Sequence, residues 1–219
     1  MTFDLNNEII KIEELYSKAS KESEFEELAR IVQECYEQYS SSESLVYWRL
    51  KILRELVKNK EEKSELKNII EEAKGVYEDY PKSEKIGSWY LSVLNEYIRQ
   101  QEVKSELKSM IEEAKRIYEE FPDSEIIIAW YLCILSNYLK KQEVKSELKS
   151  TVEEAKRVYQ KYTDSEEIGK WYLKVLKNYL KKQQITSRTK GMIEEAKGVY
   201  EKHPDSENVI IVYLNILND

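Results

Sequence analysis

Histidine is nearly missing from this chain of 219 residues, which holds one His, two Cys, three Pro and five Gly. Each shortage excludes something. One histidine and two distant cysteines, Cys35 and Cys133, leave no set of nitrogen and sulfur ligands for zinc, so no metal and no cofactor is expected. All five glycines (Gly75, Gly87, Gly169, Gly191 and Gly198) fall within helical stretches, which leaves no glycine-rich loop to cradle a phosphate. The lone His203 shares a column with Tyr80, Phe121 and Tyr162, the place of a packing or helix-end residue rather than a base. The glutamates of the recurring EEAK read as helix-face residues, with Glu112 to Arg116 and Glu153 to Arg157 at i,i+4 spacing. No enzyme is expected. No apolar run approaches the ~18 residues of a membrane span. The start, MTFDLNNEII, lacks the basic and apolar regions of a secretory leader. Two unpaired cysteines fit a reducing compartment, so a cytoplasmic protein is expected. A net charge of −7 works against general adhesion to nucleic acid or anionic membrane, leaving only a local basic patch to override it.

What is present is a repeat. Ala73, Ala114, Ala155 and Ala196 recur every 41 residues, as do Tyr77, Tyr118, Tyr159 and Tyr200, and Trp89, Trp130 and Trp171. A period of this size marks a stacked-repeat architecture in which each unit packs on its neighbours. Each unit reads as an alanine helix, a break, and a tryptophan helix. The break follows from Pro81, Pro122 and Pro204, whose rings lack an N–H, with Thr163 standing in the fourth unit. Ser83, Ser124, Ser165 and Ser206 then stand ready to cap the next helix, each followed by a glutamate suited to the positive end of its dipole. Between units, around EVKSELK (102–108), the apolar stripe slips in phase and a turn is expected. The units are 22–62, with its break at Ser40 to Ser42, then 63–103, 104–144, 145–185 and 186–219. Residues 1–21 form half a unit, because Ile12, Leu15 and Tyr16 match Leu53, Leu56 and Val57, and this helix caps the array. The alternating aromatic stripe of tryptophans and tyrosines is expected to be core.

The tryptophan and leucines of WYLSVL and WYLCIL, with Tyr97 or Tyr138 following, resemble the first helix of a tetratricopeptide repeat (TPR). Ala114, Tyr118, Phe121 and Pro122 resemble its second helix and exit turn. The resemblance covers 22–219 in a unit longer than the family's usual ~34 residues. Half-a-TPR repeats of RNA-processing factors share a similar A…Y…P…W cadence and remain an alternative label. The resemblance implies an all-α, right-handed superhelical α-solenoid of about five units, whose tryptophan helices face a concave groove. It further implies a protein-interaction scaffold or adaptor, with no enzymatic role.

Comparing units with one another locates a candidate site. Columns at minus one, plus three, plus six, plus seven and plus ten from the tryptophan vary while their neighbours do not, and they lie on one helical stripe. Plus ten holds Lys58, Arg99, Lys140 and Lys181. The fourth unit places Lys170, Lys174, Lys177 and Lys181 along one face. Such a stripe suits an acidic peptide, a terminal carboxylate or a nucleic-acid backbone, or serves only as a solvated face. Lys174 and Asn178, with Asn137 one unit earlier, match the Lys/Asn spacing of carboxylate-clamp members of the family, although the rest of that pattern is absent. In the third unit Ile126, Ala129 and Cys133 form a small apolar spot, with Cys133 the candidate exposed thiol. The last helix, NVIIVYLNIL (208–217), is unusually apolar with no following repeat to cover its outer side, which hints at a homodimer or at an array cut from a longer one. The expected partner is therefore a protein or peptide, acidic in character. Nucleic acid and a second copy of the chain are the alternatives, and no membrane partner is expected.

Overall fold

A computed structural model describes residues 4–39, 42–60, 62–101, 103–183 and 187–218. Among them there is no strand, and eleven helices follow one another: α1 (Leu5–Lys18), α2 (Glu22–Gln38), α3 (Glu43–Asn59), α4 (Lys63–Glu78), α5 (Glu84–Gln100), α6 (Lys104–Glu120), α7 (Glu125–Lys141), α8 (Lys145–Lys161), α9 (Glu166–Leu180), α10 (Ser187–Lys202) and α11 (Glu207–Asn218). Of the two expected turns, Ser40, Ser41 and Glu102 lie outside the described residues.

Serine starts the tryptophan helices as the pattern predicts. The Oγ atoms of Ser83, Ser124 and Ser165 accept from the backbone N–H three residues on at 3.3, 3.3 and 3.2 Å, each cap contributing about 1 kcal/mol. Two of these hydroxyls, and that of Ser206, which caps α11 by accepting from the Val209 N–H at 3.2 Å, do a second job. Ser83 donates to the Glu43 carboxylate, Ser165 to Glu125, and Ser206 to Glu166 at 2.5 Å. Each cap is thus tied to the first residue of the preceding tryptophan helix. At the other end of the alanine helices, Phe121 leaves helical geometry (φ −125°, ψ 61°) ahead of Pro122. Tyr162 does the same (φ −135°, ψ 41°) ahead of Thr163, so proline is not required for the turn.

The chain forms two compact units, residues 1–101 and 102–219. In the first, α3 packs along α5, with α2 against α3, α4 against both, and α1 against α2 and α3. In the second, α7, α9 and α11 lie side by side in that order, while α6, α8 and α10 cover them as a second layer. The recurring tyrosines join the layers. Tyr77 stacks on Tyr90 at 5.2 Å, Tyr118 on Tyr131 at 5.0 Å, Tyr159 on Tyr172 at 4.8 Å and Tyr200 on Tyr213 at 4.9 Å. Such pairs contribute about 0.5–1.5 kcal/mol each beyond the area they bury. The alanines Ala73, Ala114, Ala155 and Ala196 are fully buried beneath them.

Two expectations need correction here. The aromatic stripe is not all core: Tyr90, Tyr131 and Tyr172 are wholly buried, whereas Trp89, Trp130 and Trp171 are half-buried. One residue along a helix turns the side chain by about 100°, enough to move it from the layer interface to the flank. The arginines of the alanine helices also choose other partners. Arg116 pairs with Glu113 and Arg157 with Glu154, at i,i+3, in place of Glu112 and Glu153. His203 is the helix-end residue expected of it: its Nε2 lies 3.1 Å from the Thr163 carbonyl and its ring meets Gly169 of α9.

Candidate functional site

Four buried positions at plus seven from the tryptophan organise the face of the tryptophan helices: Glu55, Glu96, Asn137 and Asn178. In the first compact unit the two carboxylates neutralise the basic columns beside them. Arg54 reaches Glu55 at 3.1 Å and Glu96 at 3.2 Å, Lys58 reaches Glu55 at 3.4 Å, and Arg99 reaches Glu96 at 3.0 Å. Lys51 lies 4.3 Å from the ring centres of both Tyr16 and Trp48. Burial lowers the pKa of that ammonium against the pull of Glu13 and Glu55. Burial, then Glu55, pushes the Tyr16 phenol up to about 12.

In the second compact unit the same column carries no charge, and the lysines gather. Lys174 Nζ sits 3.8 Å above the Trp171 ring. That separation is well within the reach of a cation–π contact. Trp171 is itself oriented by donating from Nε1 to Glu167 at 2.8 Å. Lys170 pairs with Glu167 and lies 5.4 Å from the same ring. The Lys174 pKa is lowered, first by burial and then by Lys170, with Lys140 adding to the effect and Cys133 and Glu167 opposing it. Lys140 donates to Asn137 Oδ1 at 2.9 Å. Lys177 is half-buried and Lys181 exposed at the end of α9. Lys140, Lys170, Lys174, Lys177 and Lys181 therefore share the face of α7 and α9. Arg99 belongs to the first compact unit and is held by Glu96.

Four of the residues singled out from the sequence, Asn137, Asn178, Cys133 and Ala129, are buried and are not surface groups. Asn178 is buried, and its Nδ2 donates to the backbone carbonyl of Ser136 at 2.9 Å and to Ser136 Oγ at 2.8 Å. It fastens α9 to α7 and is not available as a clamp for a ligand. Cys133, expected to be an exposed thiol, is buried, with Asn137 Nδ2 3.9 Å from its Sγ. Ala129 is buried as well, so of the apolar spot only Ile126, 50% exposed, reaches solvent. Within each compact unit the tryptophan helices pack directly on one another, and Asn178 of α9 meets Ser136 of α7 at their seam. Gln100 makes the matching contact in the first compact unit, donating to the Val57 carbonyl of α3 at 2.5 Å, and Lys182 donates to the Gln142 carbonyl at 2.7 Å in the second.

The change from Glu55 and Glu96 to Asn137 and Asn178 was visible in the sequence as a variable column. Its meaning depends on knowing that Arg54, Lys58 and Arg99 turn toward it. Among the described residues no cluster of histidine, cysteine and carboxylate groups suits a metal, and no helix is long and apolar enough to cross a membrane.

No protein-family model matches this chain. No curated protein matches it either. Among solved structures, a thermophilic TPR protein of Thermus thermophilus superposes with a TM-score of 0.55 over 99% of this chain and 100% of that one, at 13% sequence identity. With the period of 41 residues, the paired helices and the two-layer packing, that likeness places the protein in the TPR-like helical-repeat fold, an all-α α-solenoid.

Proposed function

We propose that the protein is a non-enzymatic interaction scaffold whose second compact unit receives an acidic peptide segment along the lysine face of α7 and α9. The observation that carries this reading is the uncharged Asn137 and Asn178 where the first compact unit holds Glu55 and Glu96. Lys140, Lys174, Lys177 and Lys181 share a face on which this column places no carboxylate, in a chain whose net charge is −7. Positive potential concentrated on one face of an acidic protein steers and orients an acidic partner. Lys140, Lys174, Lys177 and Lys181 serve as the contacts, Trp171 as an aromatic floor, and Ile126 as an apolar contact at the head of α7. Asn178, Ala129 and Cys133 shape the face from beneath. Two cysteines outside any disulfide suit a reducing compartment, and the cytoplasm is the setting proposed.

The test is a titration of a labelled glutamate-rich peptide into the wild-type chain and into a Lys174, Lys177, Lys181→Gln variant. The expected result is a loss of at least about tenfold in affinity, or about 1.4 kcal/mol. Equal affinity overturns the reading. So does tighter binding of RNA of similar length, with about one unit of salt slope lost per lysine removed, which would make the face a nucleic-acid surface.

A second reading has its own observation. Leu214 and Leu217 of α11 are each 51% exposed, although their equivalents Leu132, Leu135, Leu173 and Leu176 are buried. Self-association through α11 would cover them. A mass that rises with concentration supports this second reading, and a strict monomer at high concentration rejects it.

A further inference from the structure

The fifth alanine helix, α10, breaks the repeat at one buried position. Leu66, Leu107 and Leu148 occupy one column and are 1%, 1% and 2% exposed. At the same point α10 carries Thr189, a shorter and more polar side chain. A cavity of about 370 Å³ opens there, bounded by α9, α10 and α11. That is within the roughly 300–1,000 Å³ range of small-molecule sites. The surroundings register the loss. Leu180 is half-buried, whereas its equivalents Ile98 and Leu139 are fully buried.

The lining is divided by chemistry. Leu180, Ile193, Ile216 and Leu217 supply an apolar wall, while Lys177, Lys181 and Lys190 supply cations. The alanine-helix column through Lys67, Lys108, Lys149 and Lys190 is basic throughout, and the plus-six column, which runs Arg54, Asn95, Ser136 and Lys177, adds a second cation beside the site of the lost leucine. An uncharged hydrocarbon would gain nothing from such lysines, and a cation would be repelled by them. A ligand with an apolar body and one anionic head satisfies both halves.

We infer that the α9–α10–α11 cavity is a binding site for a small anionic amphiphile, a medium-chain carboxylate in chemical class. The chain enters between Ile193 and Ile216, and the carboxylate is met by Lys181 and Lys190. This site shares Lys177 and Lys181 with the lysine face proposed for the peptide, and Thr189, Lys190, Ile193 and Ile216 belong to it alone.

The test uses the full chain and decanoate, below its micelle concentration, followed by titration calorimetry. Decylammonium and decanol serve as length-matched controls. Saturable binding of one decanoate per chain is expected, at least tenfold tighter than decylammonium. Shortening to octanoate should weaken binding, by up to about fourfold for each methylene removed from the apolar wall. Thr189→Leu restores the side chain that the other repeats carry. It should abolish decanoate binding while leaving the melting temperature unchanged or higher and the affinity for an acidic peptide unchanged. Lys190→Gln, at an exposed position, should weaken decanoate several-fold and leave decanol unaffected. Decanoate binding that survives Thr189→Leu, or decylammonium binding as tightly as decanoate, or no saturable decanoate binding, overturns the inference.

Discussion

Removing the Asn178 side chain separates the structural role assigned to it from a role in ligand binding. Its Nδ2 donates two hydrogen bonds, to the Ser136 carbonyl at 2.9 Å and to Ser136 Oγ at 2.8 Å, from a buried position between α9 and α7. Each bond contributes about 0.5–1.5 kcal/mol net, and truncation also strands a buried carbonyl and hydroxyl. Asn178→Ala should therefore cost about 2–3 kcal/mol. For a chain of this size, each kcal/mol moves the melting temperature by about 2–4 °C, so a drop of roughly 4–12 °C is expected. Ser136→Ala removes only the hydroxyl acceptor and should cost about 1 kcal/mol. The double variant should be no less stable than Asn178→Ala alone, giving a coupling of about 1 kcal/mol in the cycle. Urea unfolding followed by helical circular dichroism measures all three, and peptide affinity should stay within about twofold throughout. An unchanged unfolding midpoint together with lost peptide affinity would refute the reasoning and return Asn178 to the surface.

Other consequences are simpler. In alkaline solution the raised tyrosines oppose unfolding only while they stay neutral. Burial first, and then Glu55 for Tyr16 and Glu147 for Tyr138, lifts both phenols to about 12. Tyr131 and Tyr172 are raised further, by burial and by Glu154 and Glu195. Because the folded values exceed the unfolded value near 10, this contribution is complete below about pH 10 and is lost as the pH climbs through 10–12. Tyrosinate absorbance from the buried phenols should appear together with loss of helical signal, and full ionisation with the helices intact would contradict the assignment. Cys35 and Cys133 should resist a thiol reagent until denaturant is added, since both are buried and burial raises the Cys35 thiol; native-state labelling of Cys133 would contradict its placement. Ser165→Ala removes the cap of α9 together with its bond to Glu125, and should lower stability by about 1–2 kcal/mol in urea unfolding. An unchanged midpoint would show that the cap is dispensable.

The division of the chain into helices was legible because its causes are local. Ser83, Ser124 and Ser165 cap, Pro122 terminates, and the stripes through Ala114 and Tyr118 repeat at helical spacing. Contacts between helices are a different matter. Nothing in the periodicity says that Tyr118 will stack on Tyr131 across a turn, or that Trp130 will be half-buried beside a fully buried Tyr131. The variable stripe of the tryptophan helices was recognised, yet part of it is the seam between those helices. Hence Lys174 and Lys181 remain on the face while Cys133 and Asn178 are taken inside. Thr189 illustrates the opposite case. Its departure from Leu66, Leu107 and Leu148 can be read in the sequence, but only the packing of α9 and α11 around it shows that a cavity results.

The most direct test of the account places into the second compact unit the carboxylate that the first already has. Glu55 and Glu96 show that a buried glutamate is tolerated in this column when a cation stands three residues on, as Lys58 and Arg99 do. Lys140 stands in the same relation to position 137. Titrating the glutamate-rich peptide into Asn137→Glu should give a protein that is folded, as judged by an unchanged helical spectrum, and that binds at least about tenfold more weakly than wild type. A folded Asn137→Glu variant with wild-type affinity would contradict the claim that the uncharged column is what opens the lysine face to an acidic partner.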